Sequence, residues 1–245
     1  MNLNYISIGL DYYFYIENQN EIRYEFQKRA NFINDYFSKE VRRLKFKTDG
    51  TFNMISIELS ESTLKPCSIV PNNTLKVELF FDRSRYEKIK DTGDCRYYLE
   101  VLEQGLMKAS KSKSIPFEAL LSIIKKFERG GCKNEWLHKE KRFRENDLEI
   151  ILMCQFTTDY FQLVILINQI SLKKELINAV LLRVEPGVSI HEGMYKDIII
   201  KKDIVITDKS DSPRIVINKN DVYKGVLNYE IIGDDKVKEI LSYKL

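Results

Sequence analysis

The sequence predicts an α+β protein whose helices lie mainly in the first 130 residues and whose remainder is dominated by antiparallel β-sheet. Two observations lead to this class. Apolar residues recur at helical spacing almost only before residue 130, whereas alternating or short continuous apolar runs fill residues 135–245. Helices and strands that are segregated along the chain, rather than alternating as βα units, favour antiparallel pairing.

The first half of the chain opens with an aromatic-rich segment, residues 3–16, that is predicted as a strand. After the polar break ENQN, residues 21–44 carry apolar side chains about one or two helical turns apart, which predicts the main amphipathic helix. Residues 52–59 alternate between apolar and polar side chains and predict a strand. A second strand, 75–81, follows the turn signal at 71–73.

Two further helices are predicted at 96–109 and 116–129. Ser114 is a candidate N-cap of the second helix, Pro116 fits its first turn, and Gly130-Gly131 is a C-terminal stop signal. After residue 134 the helical period disappears, and the charged segment 135–143 is predicted as extended.

The C-terminal half contains a predicted β-hairpin, LEIILMCQF and YFQLVILIN, joined by the polar turn Thr157-Thr158-Asp159. Both segments are apolar enough to be central strands. The remaining predicted strands are 176–184, 196–207 with a break at 201–203, 214–218 and 222–232. The tail, 236–245, fits a short helix or a last strand.

The 245 residues are enough to bury a sizeable core, and they predict one compact domain. A seam is predicted near 130–134, between a mixed α/β half (1–131) and a mostly antiparallel β half (132–245). No period of roughly 20 to 50 residues repeats, which argues against a solenoid or propeller.

Composition narrows the classes of function and the location. A formal net charge of +3, from 39 basic and 36 acidic residues, is too balanced to indicate nucleic-acid binding by itself. The N-terminus lacks the features of a signal peptide, and the longest apolar runs, such as Leu163 to Ile167, are too short for a membrane span. We therefore expect a cytoplasmic protein without a membrane partner. Its four cysteines (Cys67, Cys95, Cys132 and Cys154) are expected to be reduced and mostly buried.

The motifs of common active sites are absent from the sequence. No Cys or His pair has the spacing of a zinc site, no glycine-rich loop has the pattern of a phosphate-binding turn, and no nucleophile elbow is present. We therefore predict no catalytic residue, no metal ligand and no cofactor. An enzyme with an unrecognised site is still compatible with the sequence, and divalent-metal binding or a pH–rate profile would favour it.

Three weaker candidates for chemistry also have structural explanations. Cys132 and His138 are six residues apart, but a helix stop and a strand explain them better than a catalytic dyad does. His191 is expected in a loop or at a strand edge. Lys76 and Glu78, together with Asp82, would lie on one face of a strand and could form a nuclease-like site, although a charged strand face looks the same.

The most substantive local feature is a basic cluster between Lys125 and Glu145, which contains eight Lys or Arg and four Glu. A smaller cluster follows the first helix: Arg42, Arg43, Lys45 and Lys47. If such residues met in the fold, they could hold phosphates or an acidic protein surface. The only tryptophan, Trp136, could act as a stacking platform for bases or as an interface anchor. The candidate partner-binding residues are Trp136, Lys139, Lys141, Arg142 and Arg144.

The segment KNEWLHKEK, the apolar hairpin EIILMCQFTTDYFQLVILIN and the β-rich tail together resemble immunity proteins of bacterial polymorphic-toxin and contact-dependent inhibition systems. The resemblance covers roughly residues 75–200. It implies a cytoplasmic, non-catalytic protein that binds one toxin domain in a 1:1 complex and occludes its active surface. A stable specific interface of this kind buries on the order of 1,600 Å².

Two further functions are compatible with the same residues. A nucleic-acid-binding or -processing protein would use the basic cluster at 125–145, and its binding would weaken steeply with salt. A structural or assembly subunit would self-associate. Neither the partner nor the order of strands in the sheet follows from the sequence.

Overall fold

The structure, a computed structural model, describes residues 1–186 and 193–242. The chain divides into two compact units. Unit 1 comprises Met1–Asn134 and Thr157–Asp159, and unit 2 comprises Glu135–Phe156 and Tyr160–Leu245. The long helices belong to unit 1 and the antiparallel sheets to unit 2, so the predicted α+β class is confirmed. His191 lies outside the described residues.

Unit 1 is a four-stranded mixed sheet with flanking helices. Its elements in chain order are β1 (Tyr5–Leu10), α1 (Tyr12–Tyr15), α2 (Asn20–Leu44), β2 (Met54–Ser60), β3 (Ser68–Val70), β4 (Thr74–Phe80), α3 (Arg83–Ile89), α4 (Arg96–Ser112) and α5 (Phe117–Arg129). The strand order is β1-β2-β4-β3. β1, β2 and β4 run parallel, and only β3 is antiparallel. Parallel pairing follows because α2 forms the crossover between β1 and β2, a unit that segregation of helices and strands does not predict.

Helix α2 covers the edge of the sheet. The Asn34 side chain accepts a hydrogen bond from the Ile8 backbone N–H and donates one to the Ile8 carbonyl, and the Ser38 hydroxyl donates to the carbonyl of Ile6. These bonds satisfy three backbone groups of β1: the N–H and carbonyl of Ile8 and the carbonyl of Ile6. An edge strand covered in this way is protected from pairing with another chain.

The two faces of the unit 1 sheet differ in polarity. The apolar face is built from alternate residues of the three parallel strands, all buried: Ile6, Ile8, Leu10, Ile55, Ile57, Leu59, Leu75 and Val77. Helix α4 packs on this face, and Gly105 lets it approach so closely that an added Cβ would lie 2.4 Å from Ile57 Cδ1. The opposite face carries polar residues, including Glu58 and Lys76.

Helices α4 and α5 form a hairpin connected through residues 113–116. Its open end is closed by a disulfide between Cys95 and Cys132, whose Cα atoms are 6.4 Å apart. The expectation of four reduced thiols was therefore wrong for these two residues, because the chain between them folds back on itself and brings together cysteines that are 37 positions apart. Cys67 and Cys154 are not part of a disulfide, and Cys154 is buried.

Unit 2 contains two antiparallel four-stranded sheets. The first holds β5 (Asn134–Phe143), β6 (Leu148–Phe156), β7 (Phe161–Gln169) and β8 (Lys174–Val184) in the order β5-β6-β7-β8. The second holds β9 (Asp197–Ile200), β10 (Ile204–Thr207), β11 (Pro213–Ile217) and β12 (Tyr229–Ile231) in the order β12-β11-β10-β9. Two short helices complete the described part of the unit: α6 (Lys219–Val222) and α7 (Asp235–Ser242). The predicted β6–β7 hairpin and its central position are confirmed.

The two sheets of unit 2 are joined at both ends. Lys141 of β5 donates to the Ile198 carbonyl of β9, and the Tyr229 hydroxyl of β12 donates to the Leu181 carbonyl beside it on β8. Between these contacts the inward residues of both sheets, rich in isoleucine, are fully buried. Edge contacts together with buried residues on one face of each sheet are typical of a β-sandwich with an aliphatic core.

Several predicted element boundaries were wrong for local reasons. The strand predicted at 3–16 ends at Leu10, because Asp11 accepts a hydrogen bond from the Phe14 N–H and caps α1. Ser114 does not cap α5, whose N-cap is Pro116. The segment 222–232 contains the end of α6 and only the short strand β12. No helix within the described residues is long and apolar enough to cross a membrane.

Candidate functional site

The carboxyl ends of β1, β2 and β4 meet at one edge of the unit 1 sheet, because the three strands are parallel. Open sheets with parallel strands commonly bind ligands beyond this edge. Asp11 follows β1, Glu61 follows β2, and Arg83 begins the helix after β4. This edge therefore gathers charged side chains that are far apart in sequence.

At the centre lies Lys76, surrounded by three carboxylates. Its Nζ is 2.6 Å from Asp11 Oδ2, 3.0 Å from Glu58 Oε2 and 3.3 Å from Glu78 Oε1. Strand alternation places Lys76 and Glu78 on the polar face, and the parallel register places Glu58 directly beside Glu78. We call these four residues the Lys76 cluster. It ties β1, β2 and β4 together through side chains.

Electrostatics separates the members of the Lys76 cluster. Burial opposes the charge of Lys76, but hydrogen bonds and attraction from Asp11 and Glu58 outweigh it and raise the pKa of the ammonium. Burial also opposes ionisation of Asp11, yet the hydrogen bonds from Lys76 and the Phe14 N–H lower the pKa of this carboxyl. For Glu58 burial dominates and raises the pKa. Of these two carboxyls, Glu58 thus takes up a proton more readily than Asp11.

The Lys76 cluster contains part of the nuclease-like set predicted from strand alternation. Lys76 and Glu78 meet, whereas Asp82 instead caps α3 by accepting from the Arg85 N–H. Sequence reasoning missed Asp11 and Glu58, whose only signal is their position near the ends of strands that prove to be parallel. Among the described residues, no group of three or more His, Cys, Asp or Glu is arranged to hold a metal ion.

A second polar contact lies beside α1. Glu61 Oε2 accepts hydrogen bonds from the Tyr15 hydroxyl at 3.1 Å and from Arg83 at 2.6 Å. Arg83 also contacts Gln19. Tyr15 is the one residue of α1 that is buried. These contacts and the Asp11 cap fix the orientation of the short helix.

Because Tyr15 turns inward, the other three side chains of α1 project outward. Tyr12, Tyr13 and Phe14 are 48%, 83% and 42% exposed, and Tyr24 near the start of α2 is 58% exposed. The Arg23 guanidinium lies over the Tyr12 ring at 5.1 Å, and Lys28 lies over Tyr24 at 5.4 Å. We call Tyr12, Tyr13, Phe14 and Tyr24 the α1 aromatic surface.

The α1 aromatic surface was missed because YYFY was interpreted as part of a strand, whose alternate rings would be buried. The signal that could have revealed it is Asp11, an N-cap residue directly before the aromatic run.

The five predicted binding residues all lie in unit 2, on β5 and the turn after it. β5 is an edge strand. Trp136 is half-buried, with its ring 6.3 Å from that of Phe161. Lys139 and Lys141 both pair with Asp197, at 3.1 and 2.8 Å. Arg142 is exposed and pairs with Glu149. Arg144, in the turn after β5, is exposed.

The alternation of β5 changes within the strand. Trp136 and His138 are half-buried, and after one step in register Lys139, Lys141 and Phe143 are half-buried as well. His138 Nε2 contacts the Tyr195 carbonyl. A register step of this kind is typical of a β-bulge. As a result, two lysines of the predicted binding set are directed toward Asp197 and Ile198 of the same unit.

Asp197 is the acceptor that organises these lysines. Burial opposes its ionisation, but hydrogen bonds from Lys141 and Lys139 and from the Ile198 N–H outweigh burial and lower the pKa of the carboxyl to about 2. The carboxylate of Asp197 therefore offsets one of the two ammonium charges within unit 2. Lysines placed on an edge strand also discourage edge-to-edge pairing with other chains.

The two basic clusters of the sequence come into contact inside unit 1. Arg43 from the end of α2 and Lys126 from α5 both pair with the carboxylate of Glu40. Arg42 lies over the ring of Tyr5, at 5.5 Å from its centre. Cys132, considered with His138 as a dyad, has its sulfur in the disulfide and is no free nucleophile.

Comparisons with models of protein families, with curated proteins and with solved structures give no match to this chain.

Proposed function

We propose that this chain is a non-catalytic protein-binding module. In its most specific form, the proposal is an immunity protein of the bacterial cytoplasm that occludes the active surface of a cognate toxin in a 1:1 complex. The observation that supports protein binding best is the α1 aromatic surface. Three of the four residues of one helical turn are large, aromatic and 42–83% exposed.

Such a surface has the composition of an interaction hot spot. Tyrosine, phenylalanine and arginine are enriched at protein interfaces, where they contribute much contact area with few rotatable bonds. Arg23 and Lys28 lie over two of the rings, so the surface combines aromatic faces with positive charge. Exposed aromatic side chains grouped in this way are more typical of a binding site than of an inert surface.

Unit 1 holds the α1 aromatic surface in a defined geometry. Asp11 caps the helix at its start, and Tyr15 anchors its end through Glu61 and the aromatic core, with its ring 6.1 Å from that of Phe81. A partner would therefore meet a preorganised surface. Preorganisation reduces the entropy lost on binding, which raises affinity for a given contact area.

The second candidate function is binding of nucleic acid through the basic cluster at 125–145. The contacts of this cluster favour it less, because Lys139, Lys141 and Arg142 already have carboxylate partners within unit 2. Phosphate binding would require these cations to exchange one anion for another. The two functions differ in their response to salt.

The test uses tagged protein and lysate of the source organism, with and without nuclease, and the captured material is washed with salt that is raised in steps to a high concentration. Three chains are compared: the wild type, Tyr12→Ser/Tyr13→Ser on the α1 aromatic surface, and Leu172→Ser as the control. Leu172 is 66% exposed on unit 2, so its replacement also removes an exposed apolar side chain.

We expect one protein, retained at near-equal stoichiometry by the wild type and the control and lost by the double variant. Repeating the titration with the purified partner should show at least about a 30-fold weaker Kd for the double variant, as for loss of a hot spot. Retention of nucleic acid that elutes with salt, without a protein partner, would overturn the proposal. Equal binding by all three chains would show that the interface does not include the α1 aromatic surface.

A further inference from the structure

The disulfide between Cys95 and Cys132 sits at a position where its opening would have a local effect. Cys95 is the N-cap of α4, and Cys132 lies three residues beyond the last residue of α5. The bond therefore closes the end of the α4–α5 hairpin opposite its loop. Cys132 also lies two residues before Asn134, the last residue of the continuous N-terminal part of unit 1.

The hairpin has support that does not depend on the disulfide. Leu99, Leu102 and Leu106 of α4 are buried, as are Ile124 and Phe127 of α5. A chain with a core of this size does not need a cross-link to fold, unlike the small secreted domains in which structural disulfides are common. We therefore expect the hairpin to remain folded when the bond is open.

The turn that carries Cys132 depends more on the bond. Gly131 and Cys132 have φ angles of +73° and +55°, a region that is costly for a residue with a Cβ. The Gly131 N–H donates to the Glu128 carbonyl and the Cys132 N–H to the Phe127 carbonyl, at 2.9 and 3.0 Å. Beyond the turn, the Asn134 amide donates to the Phe32 carbonyl and to Asp35. The turn is thus held between a cross-link and a side-chain anchor.

The two sulfur atoms differ in access. Cys95 is 6% exposed, whereas Cys132 is half-buried in a surface turn. An incoming thiolate would reach the Cys132 sulfur more easily. The leaving thiolate would then be that of Cys95, at the N-terminus of a helix of 17 residues, where the helix dipole favours negative charge.

From these observations we propose that Cys95 and Cys132 form a reversible thiol–disulfide switch that controls the order of the turn Gly130–Asn134. A thiolate of a low-molecular-weight thiol, such as glutathione, attacks the Cys132 sulfur, and the bond to Cys95 breaks with release of the Cys95 thiolate. A second thiolate attacks the mixed disulfide and releases the Cys132 thiolate. Two electrons pass from the two small thiols to the protein, and one small-molecule disulfide forms. A cysteine pair of this kind is compatible with the cytoplasm, where disulfides are mostly transient.

The first experiment counts thiols. Protein denatured without reductant and alkylated should carry two labels, on Cys67 and Cys154, and four after full reduction. In buffers of varied ratio of reduced to oxidised glutathione, native protein should interconvert between the two forms. A cysteine pair that stays reduced even in oxidised glutathione, or a bond that glutathione leaves intact at every ratio, would overturn the proposal.

The second experiment measures amide hydrogen exchange of the full chain in both redox states. On reduction, the amides of Gly131 and Cys132 should exchange about tenfold faster or more, while those of Leu102 and Leu106 keep their protection. Cys132→Ser should reproduce the reduced pattern without reductant, and Cys67→Ser, the control, should not. Loss of protection throughout unit 1 on reduction would identify a structural disulfide and overturn the proposal. Unchanged exchange of the Gly131 and Cys132 amides would overturn it as well.

Discussion

The side chain of Asn34 pairs with both backbone groups of Ile8. Asn34 Oδ1 accepts from the Ile8 N–H at 2.9 Å, and Nδ2 donates to the Ile8 carbonyl at 3.1 Å. A side-chain amide thus takes the place that a neighbouring strand would have. It connects α2 to the outer edge of β1, and it makes the helix part of the hydrogen-bond pattern of the sheet.

Replacing Asn34 with alanine should therefore lower the free energy of unfolding of unit 1 by about 2 kcal/mol, because two partly buried backbone groups lose their partner. The freed edge of β1 should also promote self-association. The measurement is urea denaturation followed by circular dichroism of the helices, with sedimentation to detect oligomers. Asn31→Ala, one turn earlier on α2, is the control and should have the smaller effect. Equal stability of Asn34→Ala and wild type would contradict this role.

The fold class follows from the sequence because it depends on periodicity. The apolar positions of α2 and the two apolar segments of β6 and β7 on either side of a polar turn are local patterns, and the structure has these elements within about two residues of their predicted bounds. The parallel pairing in unit 1 is different. It depends on α2 returning the chain to the same end of the sheet, and the residue pattern of a single segment does not predict this path.

The candidate sites were harder to predict than the elements. Asp11, Glu58 and Lys76 meet only because the strands that carry them are parallel neighbours, although 65 positions separate the outer pair. Cys95 and Cys132 meet only because α4 and α5 fold back as a hairpin. The lysines of β5 could be recognised as a basic cluster from the sequence. Their partner Asp197 could not, because it lies 56 residues further along the chain than Lys141.

Lys76→Met should destabilise unit 1 at neutral pH by about 3 kcal/mol, because it leaves three partly buried carboxylates without their common cation. The contribution of Asp11 to the pH dependence should also reverse. In the wild type, the pKa of Asp11 is lower in the folded chain than in the unfolded chain, so the ionised carboxyl stabilises the fold at pH values above the usual pKa of an aspartate. This stability is lost as the pH falls through the pKa of the folded state. In the variant, repulsion raises the pKa values of the carboxyls, so stability should increase as the pH falls from about 7 to about 5.

Urea denaturation of wild type and Lys76→Met at several pH values measures this difference. Adding Glu58→Gln to Lys76→Met removes one of the repelling carboxylates and should restore part of the lost stability at neutral pH. If the variant loses stability on acidification in parallel with the wild type, the Lys76 cluster does not have the assigned electrostatics.

Gly105→Ala should destabilise unit 1, although alanine is favoured over glycine by about 1 kcal/mol in a helix interior. The added Cβ would lie 2.4, 2.6 and 2.8 Å from three side-chain atoms of Ile57, which is fully buried. Overpacking of this kind costs about 1–3 kcal/mol. Ile57→Ala removes the side chain with which the new methyl group would collide. When Gly105→Ala is added to Ile57→Ala, it should therefore leave the stability unchanged or increase it. Circular dichroism melts of the four chains form the complete cycle.

Asp197→Asn should lower the free energy of unfolding of unit 2 at neutral pH by at most about 2 kcal/mol, because Lys139 and Lys141 lose their shared carboxylate. The pKa of Asp197 is lowered to about 2, so this contribution is present above about pH 4 and lost as the pH falls toward 2. The difference between wild type and variant should therefore shrink over that window.

Trp136 fluorescence is suited to this measurement, because the only tryptophan lies on β5 within unit 2 and close to Phe161. Asp211→Asn is the matched control: its carboxylate also pairs with a lysine, Lys196, but its side chain is 72% exposed, and the change should alter stability by less than about 0.5 kcal/mol. A constant difference between Asp197→Asn and wild type across the whole acid range would show that the loss arises from packing. In that case Lys139 and Lys141 are not neutralised by Asp197, and the basic residues of β5 become available to an anionic partner.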